Sequence, residues 1–127
     1  MANILLVEDD EKILKMLSLR LRLKGHRIDQ AENGQIGVEK ALTGQFDAVL
    51  MDMHMPILDG HEATKKLRSE NYRGLIIAVT ASVMSRETDV AIEAGCDGFI
   101  AKPITADFET RVEEFISNFE LQDSDQT

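Results

Sequence analysis

The chain is poor in several residue types that mark particular classes of protein. Its 127 residues include one cysteine, two prolines and no tryptophan. Cys96 alone cannot form an internal disulfide, which fits a reducing cytoplasm better than a disulfide-stabilised secreted domain. No run of 18 apolar residues is present, and the start MANILLVEDD lacks the basic leader of a signal peptide. We therefore expect a cytoplasmic protein that does not enter a membrane.

Runs of basic residues are also missing. The chain carries 14 basic and 23 acidic residues, a formal net charge of −9. Nonspecific binding to nucleic acid depends on lysines and arginines that neutralise phosphates, so we expect no direct contact with nucleic acid. The excess of carboxylates leaves two interpretations open: a solvated surface that keeps the protein soluble, or a group that holds a cation.

Short apolar runs alternate with amphipathic segments along the chain. Runs such as NILLV and LIIAVT show no helical period and are typical of strands buried on both faces. The predicted strands cover 3–7, 26–31, 46–51, 75–80 and 98–101, and the predicted helices cover 11–24, 34–43, 60–70, 83–94 and 105–120. This alternation predicts an α/β protein with a doubly wound parallel sheet and right-handed crossovers. We expect one domain over 1–121 and a polar C-terminal tail over 122–127.

Polar side chains gather where the predicted strands end. Glu8, Asp9 and Asp10 follow the first strand, Asp52 follows the third, Thr80 ends the fourth, and Lys102 follows the fifth. Ligands of doubly wound sheets bind beyond the carboxyl ends of the strands. Each residue alone has an ordinary role in a turn or on the surface, and Asp9 or Asp10 could cap the helix that follows. Their joint position at one rim favours a functional site.

Carboxylates at this rim would repel one another unless a cation joined them. Asp9, Asp10 and Asp52, together with water and carbonyl oxygens, are the hard oxygen ligands that Mg²⁺ prefers. Lys102 adds a positive charge and Thr80 adds a hydroxyl donor, and both suit a bound phosphoryl group. Asp52 is then the candidate nucleophile, which would form an acyl phosphate.

The motifs that carry these residues resemble those of a known family. They read ILLVEDD, VLMDMHMPILDG, IIAVTA and GFIAKPI. They are similar to the motifs of bacterial response regulator receiver domains of the chemotaxis-regulator type, and the resemblance covers nearly the whole chain. It implies a flavodoxin-like (βα)5 fold with strand order 2-1-3-4-5. It also implies phosphoryl transfer to Asp52 from the histidine of a sensor kinase or of a histidine phosphotransfer domain.

The resemblance assigns roles around the metal ion. It implies that Asp10 binds Mg²⁺ directly and that Asp9 binds it largely through water. Asp52 and the backbone carbonyl of His54 would complete the protein ligands. These assignments come from the match to the family's motifs and not from spacing alone.

The resemblance also implies a switch. Lys102 would pair with the phosphoryl group, Thr80 would move to hydrogen-bond it, and Phe99 would rotate into the space that opens. The bond between Lys102 and Pro103 is expected to be cis. The face formed by 83–120 would then bind a downstream protein or support a phosphorylation-dependent dimer. Such a protein is a signalling switch that catalyses its own phosphorylation and dephosphorylation, and not an enzyme that acts on a metabolite.

Two other functions remain open from the sequence. One is a degenerate receiver that acts as a binding module without phosphorylation, although such modules typically lack one of the residues that are all present here. The other is a Mg²⁺-dependent phosphohydrolase with an aspartate nucleophile. Those enzymes usually carry a second acid two residues after the nucleophile, where this chain has His54.

Three methionines surround the aspartate in MDMHMP. Thioethers are ligands for Cu(I), but Pro56 ends the strand early and methionine commonly fills gaps in a core. We therefore interpret the methionines as packing residues. The two histidines outside this motif, His26 and His61, are interpreted as a surface turn residue and a helix-start residue.

Overall fold

The structure is a computed structural model that describes residues 1–55, 57–80 and 85–125. Within these residues, five strands alternate with five helices. The strands are β1 (Asn3–Val7), β2 (Arg27–Ala31), β3 (Ala48–Asp52), β4 (Ile76–Thr80) and β5 (Gly98–Ala101). The helices are α1 (Glu11–Leu23), α2 (Gly34–Thr43), α3 (Gly60–Ser69), α4 (Ser85–Ala94) and α5 (Phe108–Asp125). None of the described helices is both long and apolar enough to cross a bilayer.

The five strands form one parallel sheet in the order β2-β1-β3-β4-β5, which confirms the predicted flavodoxin-like fold. Val7 at the end of β1 pairs with Met51, and Thr80 at the end of β4 pairs with Ala101. The strands therefore end nearly level with one another. This register brings the residues at the ends of β1, β3, β4 and β5 to one edge of the sheet.

Both faces of the sheet are covered, which explains why its strands read as continuous apolar runs. All five residues of β3 are buried. Leu50 packs into a core with α1 and α5, whereas Val49 and Met51 pack into a second core with α2, α3 and α4. Because side chains alternate along a strand, β3 supplies both cores and leaves its final residue, Asp52, at the edge.

Residues predicted to cap or end helices do so in the structure at α1 and α2. Asn33 caps α2 by accepting a hydrogen bond from the Ile36 amide at 2.9 Å, as its residue type favours. Gly25 follows α1 with a φ of +91°, the left-handed conformation in which glycine commonly ends a helix.

Several predicted boundaries differ from the structure by one residue or more, and the largest differences are at the two ends of α5. Strand β3 runs to Asp52 instead of ending at 51, because Asp52 still pairs with Val79 of β4. Helix α5 begins at Phe108, three residues later than predicted, after a turn in which the Thr105 hydroxyl bonds the Asp107 carboxylate. It then continues to Asp125, into the segment predicted as a polar tail. The first two residues of the predicted helix 83–94 lie outside the described residues.

Candidate phosphoacceptor and metal site

Asp52 is a buried carboxylate at the carboxyl edge of the sheet. The residue is 4% exposed, and Oδ1 accepts a hydrogen bond from the His54 amide at 3.2 Å. Helix α3 starts directly against it: a Cβ at Gly60 would lie 2.1 Å from the Asp52 carbonyl oxygen. Glycine is therefore required at position 60, and the start of α3 closes one side of the site.

Lys102 reaches the same edge from the end of β5. Its Nζ lies 3.0 Å from Oε1 of Glu8 and 3.5 Å from Oδ1 of Asp52. Its backbone amide donates to the carbonyl of Thr80 at 2.7 Å, which ties the end of β5 to the end of β4. The peptide bond between Lys102 and Pro103 is cis, as expected.

Three carboxylates meet beside this lysine. Glu8, Asp9 and Asp52 each place one oxygen within 4.8 Å of the other two. Glu8 and Asp52 are buried and Asp9 is exposed, so the group opens to solvent on one side. Among the side chains that the structure describes, three acids against a single lysine leave an excess of negative charge. Oxygen donors with open access to water fit a Mg²⁺ ion, which keeps several waters when it binds proteins.

Asp10 was expected in this group, but the structure places it elsewhere. Its carboxylate caps α1 and accepts hydrogen bonds from the amides of Lys12 at 2.9 Å and Ile13 at 3.2 Å. Glu8 occupies the position predicted for a second acid in the pocket. The assignment was therefore displaced by one residue: the pair that faces Asp52 is Glu8 and Asp9.

The pocket raises the pKa of both Glu8 and Lys102. Burial, followed by a hydrogen bond with Asp52, raises the pKa of Glu8 to about 8, against the opposing effect of Lys102. Burial works to lower the pKa of Lys102, but its hydrogen bond to Glu8 and the charge of Asp52 outweigh it, so the pKa of Lys102 is raised. Without a bound cation, the pocket therefore tends to retain a proton on Glu8.

The remaining predicted residues lie around this pocket. Thr80 is buried at the end of β4, between β3 and β5 in the sheet. Phe99 is half-buried against the core beneath α2, α3 and α4, and its carbonyl accepts from Arg111 of α5 at 3.3 Å. The side chain of His54 is exposed. The motion of Thr80 and Phe99 and the role of the His54 carbonyl stay predictions.

The other residues of the motif behave as packing residues, with one correction elsewhere. Met51, Met53 and Met55 are all buried in the core, as interpreted from the sequence. His26, in contrast, is not a surface residue. It is 9% exposed, accepts from the Ala2 amide at 3.0 Å and contacts Glu113 at 2.9 Å, because the turn after α1 folds under α5.

The chain matches the family model described as the response regulator receiver domain over residues 4–112. That span includes all five strands except Asn3 at the start of β1, and it includes the complete acidic pocket. The protein belongs to the receiver domain family. The family works in signalling, which is consistent with a switch and not with an enzyme that turns over a metabolite.

Known receiver domains of several lineages are similar to this one. A two-component response regulator of Oryza sativa subsp. japonica is 37% identical, over 83% of this chain and 86% of that protein. Hybrid signal transduction histidine kinase M of Dictyostelium discoideum is 39% identical over 80% of this chain, which spans only 4% of that protein.

One similar solved structure bears directly on the pocket. It is the receiver domain of sensor histidine kinase PA1611 from Pseudomonas aeruginosa, crystallised with a magnesium ion coordinated in its active-site cleft. It is 34% identical, with a TM-score of 0.83 over 91% of this chain and 98% of that chain.

Proposed function

We propose that Asp52 accepts a phosphoryl group from the phosphohistidine of a sensor kinase or a histidine phosphotransfer domain. The observation that carries this proposal is the placement of the Asp52 carboxylate. It is buried at the tip of a central strand, beside one lysine and within 4.8 Å of two further carboxylates. A structural ion pair does not need three acids around one base, whereas a site for a cation and an anionic group does. A donor of this kind implies a cytoplasmic protein.

Magnesium would bind to Glu8, Asp9 and Asp52, with the His54 carbonyl as a further ligand. The ion would neutralise charge as the phosphoryl group approaches the acidic pocket. Asp10 is left out of this ligand set, because its Oδ1 caps the first turn of α1 and its carboxylate lies outside the group formed by Glu8, Asp9 and Asp52. The receiver domain of the Pseudomonas kinase supports the proposal, because its cleft holds magnesium.

In the proposed reaction an Asp52 oxygen attacks the phosphorus, a P–O bond forms, and the P–N bond to the donor histidine breaks. The donor phosphohistidine reacts with its other ring nitrogen protonated. The imidazole leaves with the electron pair of the P–N bond and is therefore neutral. Oδ1 of Asp52 is engaged by Lys102 and the His54 amide, so Oδ2 is the attacking oxygen in this proposal. Lys102 then pairs with the transferred group, and electrostatic positioning of this kind commonly dominates phosphoryl transfer.

The switch would follow from the same contacts. The Thr80 hydroxyl would move towards the phosphoryl group and donate a hydrogen bond to it. Phe99 would then turn from its half-buried position into the space that Thr80 leaves. Helix α4 presents Val90 and Ile92 to solvent, 39% and 49% exposed, on the face that would bind a downstream protein or a second copy. The phosphoryl group needs only to shift the balance between two arrangements of this face.

Incubation with Mg²⁺ and acetyl phosphate or phosphoramidate, followed by intact-mass measurement, tests the proposal. We expect the mass to rise by one phosphoryl group, and we expect no rise with a chelator or in Asp52→Ala. No gain in the wild-type protein under any of these donors would favour the binding module without phosphorylation. Repeated release of phosphate from a phosphomonoester would instead favour the phosphohydrolase.

A further inference from the structure

Two histidines flank the segment that follows the phosphoacceptor. His54 lies two residues after Asp52, and His61 lies in the first turn of α3. Their ring centroids are 6.4 Å apart, and the ring planes meet at 73°. A zinc–imidazole bond is about 2.0–2.1 Å long, so two rings that share one ion have their centroids about 5–6 Å apart. The observed separation exceeds that range by less than 1 Å, and rotation of the exposed His54 side chain would bring the two rings within it.

The two ring nitrogens of His61 have different surroundings. Nδ1 lies 3.9 Å from Oδ1 of Asp59. Nε2 is buried, and no group among the described residues hydrogen-bonds to it. A buried polar atom without a hydrogen-bond partner destabilises the fold, so Nε2 of His61 is a candidate atom for binding a ligand.

A carboxylate beside one ring nitrogen is the usual companion of a metal ion on the other. Metal-binding histidines almost always donate their second ring N–H to a carboxylate, a carbonyl or water, which fixes the tautomer and the ring. Nδ1 of His61 faces the Asp59 carboxylate at 3.9 Å, beyond hydrogen-bond distance, so Asp59 acts on the ring through its charge, and Nε2 is the nitrogen left for a metal. Asp59 is itself held in place, since it caps α3 by accepting from the Glu62 amide at 2.9 Å.

We propose that His54 and His61 bind a divalent transition-metal ion such as Zn²⁺, with Asp59 as a positioning residue and water at the open positions. Imidazole nitrogen suits zinc, copper and nickel, whereas oxygen ligands suit magnesium. The ligand chemistry therefore separates this site from the pocket of Glu8, Asp9 and Asp52.

An ion at this site would restrain the segment that carries the His54 amide. That amide donates to Oδ1 of Asp52 at 3.2 Å, so a bound ion would slow the transfer of a phosphoryl group to Asp52. This consequence rests on the proposed function, whereas the binding of the ion does not.

Isothermal titration with Zn²⁺, in buffer with excess Mg²⁺ to fill the acidic pocket, tests the site directly. We expect one equivalent to bind, with at least a tenfold loss of affinity in His54→Gln and in His61→Gln. The chain has three histidines, so His26→Gln, checked for folding by circular dichroism, is the matched control and should bind like the wild-type protein. Asp59→Asn keeps the helix cap, because asparagine caps as well as aspartate, and should still weaken binding by about tenfold.

Equal affinity in the wild-type protein and in His54→Gln or His61→Gln would overturn the proposal. So would binding that is lost in Asp52→Asn but kept in both histidine variants, since the ion would then lie in the acidic pocket. The consequence is measured separately: saturating Zn²⁺ should slow phosphorylation by acetyl phosphate in the wild-type protein and leave it unchanged in His61→Gln. If no phosphorylation occurs at all, the proposed function fails, but the titration still decides the metal site.

Discussion

Two groupings of acidic and basic side chains lie at opposite ends of the same sheet, and they are satisfied to very different degrees. At the end where the strands begin, Arg68 of α3 donates to Asp97 at 2.9 Å. The same guanidinium donates to the carbonyls of Gly95, Tyr72 and Gly74 at 2.7 to 3.0 Å. The Asp97 carboxylate also accepts from the first amide of β4. The described partners of Arg68 and Asp97 are therefore backbone groups and each other.

At the end where the strands finish, Lys102 is shared between two carboxylates. It lies 3.0 Å from Glu8 and 3.5 Å from Asp52, while Asp9 adds a third acid nearby. Within the described part of the chain, these three acids outnumber the positive charges beside them. A structural ion pair thus differs from a functional site: backbone groups complete the hydrogen bonds of the ion pair, whereas the functional site keeps unbalanced charge that a ligand can neutralise.

The largest expected effect is on the structural ion pair. Arg68→Ala should lower the free energy of unfolding by about 3 kcal/mol, because Asp97 and three carbonyls lose their donor. Urea denaturation measures the loss. Arg73→Ala, at an exposed position, is the control and should change stability by less than about 0.5 kcal/mol. A loss for Arg68→Ala as small as that of the control would show that the pair is not structural. Phosphorylation should persist in both variants.

Substitution of Lys102 in the acidic pocket should instead affect the rate of phosphorylation more than stability. Lys102→Met should slow phosphorylation by acetyl phosphate about 100-fold, because a preorganised charge that stabilises the transferring group is lost. It should cost less stability than Arg68→Ala, since Glu8 can hold a proton in place of the lysine's charge. Time-resolved intact mass gives the rate, with Lys65→Met, at an exposed position of α3, as the control. An unchanged rate would remove Lys102 from the mechanism.

Glu8 should make stability depend on pH in the absence of a metal ion. Its pKa is raised from 4.5 to about 8 in the folded protein, so the folded state holds a proton that the unfolded state releases. That contribution is complete below pH 4.5 and is lost as pH rises to about 8.

The matching experiment compares the wild-type protein with Glu8→Gln in chelator. The wild-type free energy of unfolding should fall relative to the variant across that window by about 1–2 kcal/mol, after allowance for solvent screening. Urea denaturation at several pH values measures the difference. Parallel profiles for the two proteins would contradict the raised pKa.

The smallest expected effect separates a helix cap from a metal ligand. Asp10→Ala should cost about 1 kcal/mol of stability because α1 loses its cap, and Asp10→Asn should cost only a few tenths. Neither should change the apparent affinity for Mg²⁺, read from the dependence of phosphorylation on its concentration. Asp9→Asn is the contrasting variant and should weaken that affinity. A similar weakening in Asp10→Asn would return Asp10 to the pocket.

Much of this architecture could be predicted from local patterns. The alternation of apolar runs with amphipathic segments gave the order of elements, and parallel strands necessarily bring Asp52, Thr80 and Lys102 to one edge. Helix α5 was placed three residues too early, because the turn at 105–107 depends on a side-chain contact between Thr105 and Asp107.

The choice among Glu8, Asp9 and Asp10 could not be made from composition or spacing. Three acids in succession lie within a single turn of backbone, and only the position of α1 decides which one becomes its cap. A signal was present, since an aspartate directly before the first helical residue is typical of an N-cap. The pair of Arg68 and Asp97, 29 residues apart in sequence, left no comparable signal.

The most direct measurement locates the phosphoryl group itself. The protein is phosphorylated with Mg²⁺ and acetyl phosphate and then treated with borohydride, which reduces the carbonyl carbon of an acyl phosphate to an alcohol with loss of phosphate. Peptide mass spectrometry then identifies the modified residue. We expect homoserine at position 52 and unmodified Glu8 and Asp9. Reduction at Glu8 or Asp9 with Asp52 unmodified would contradict this expectation.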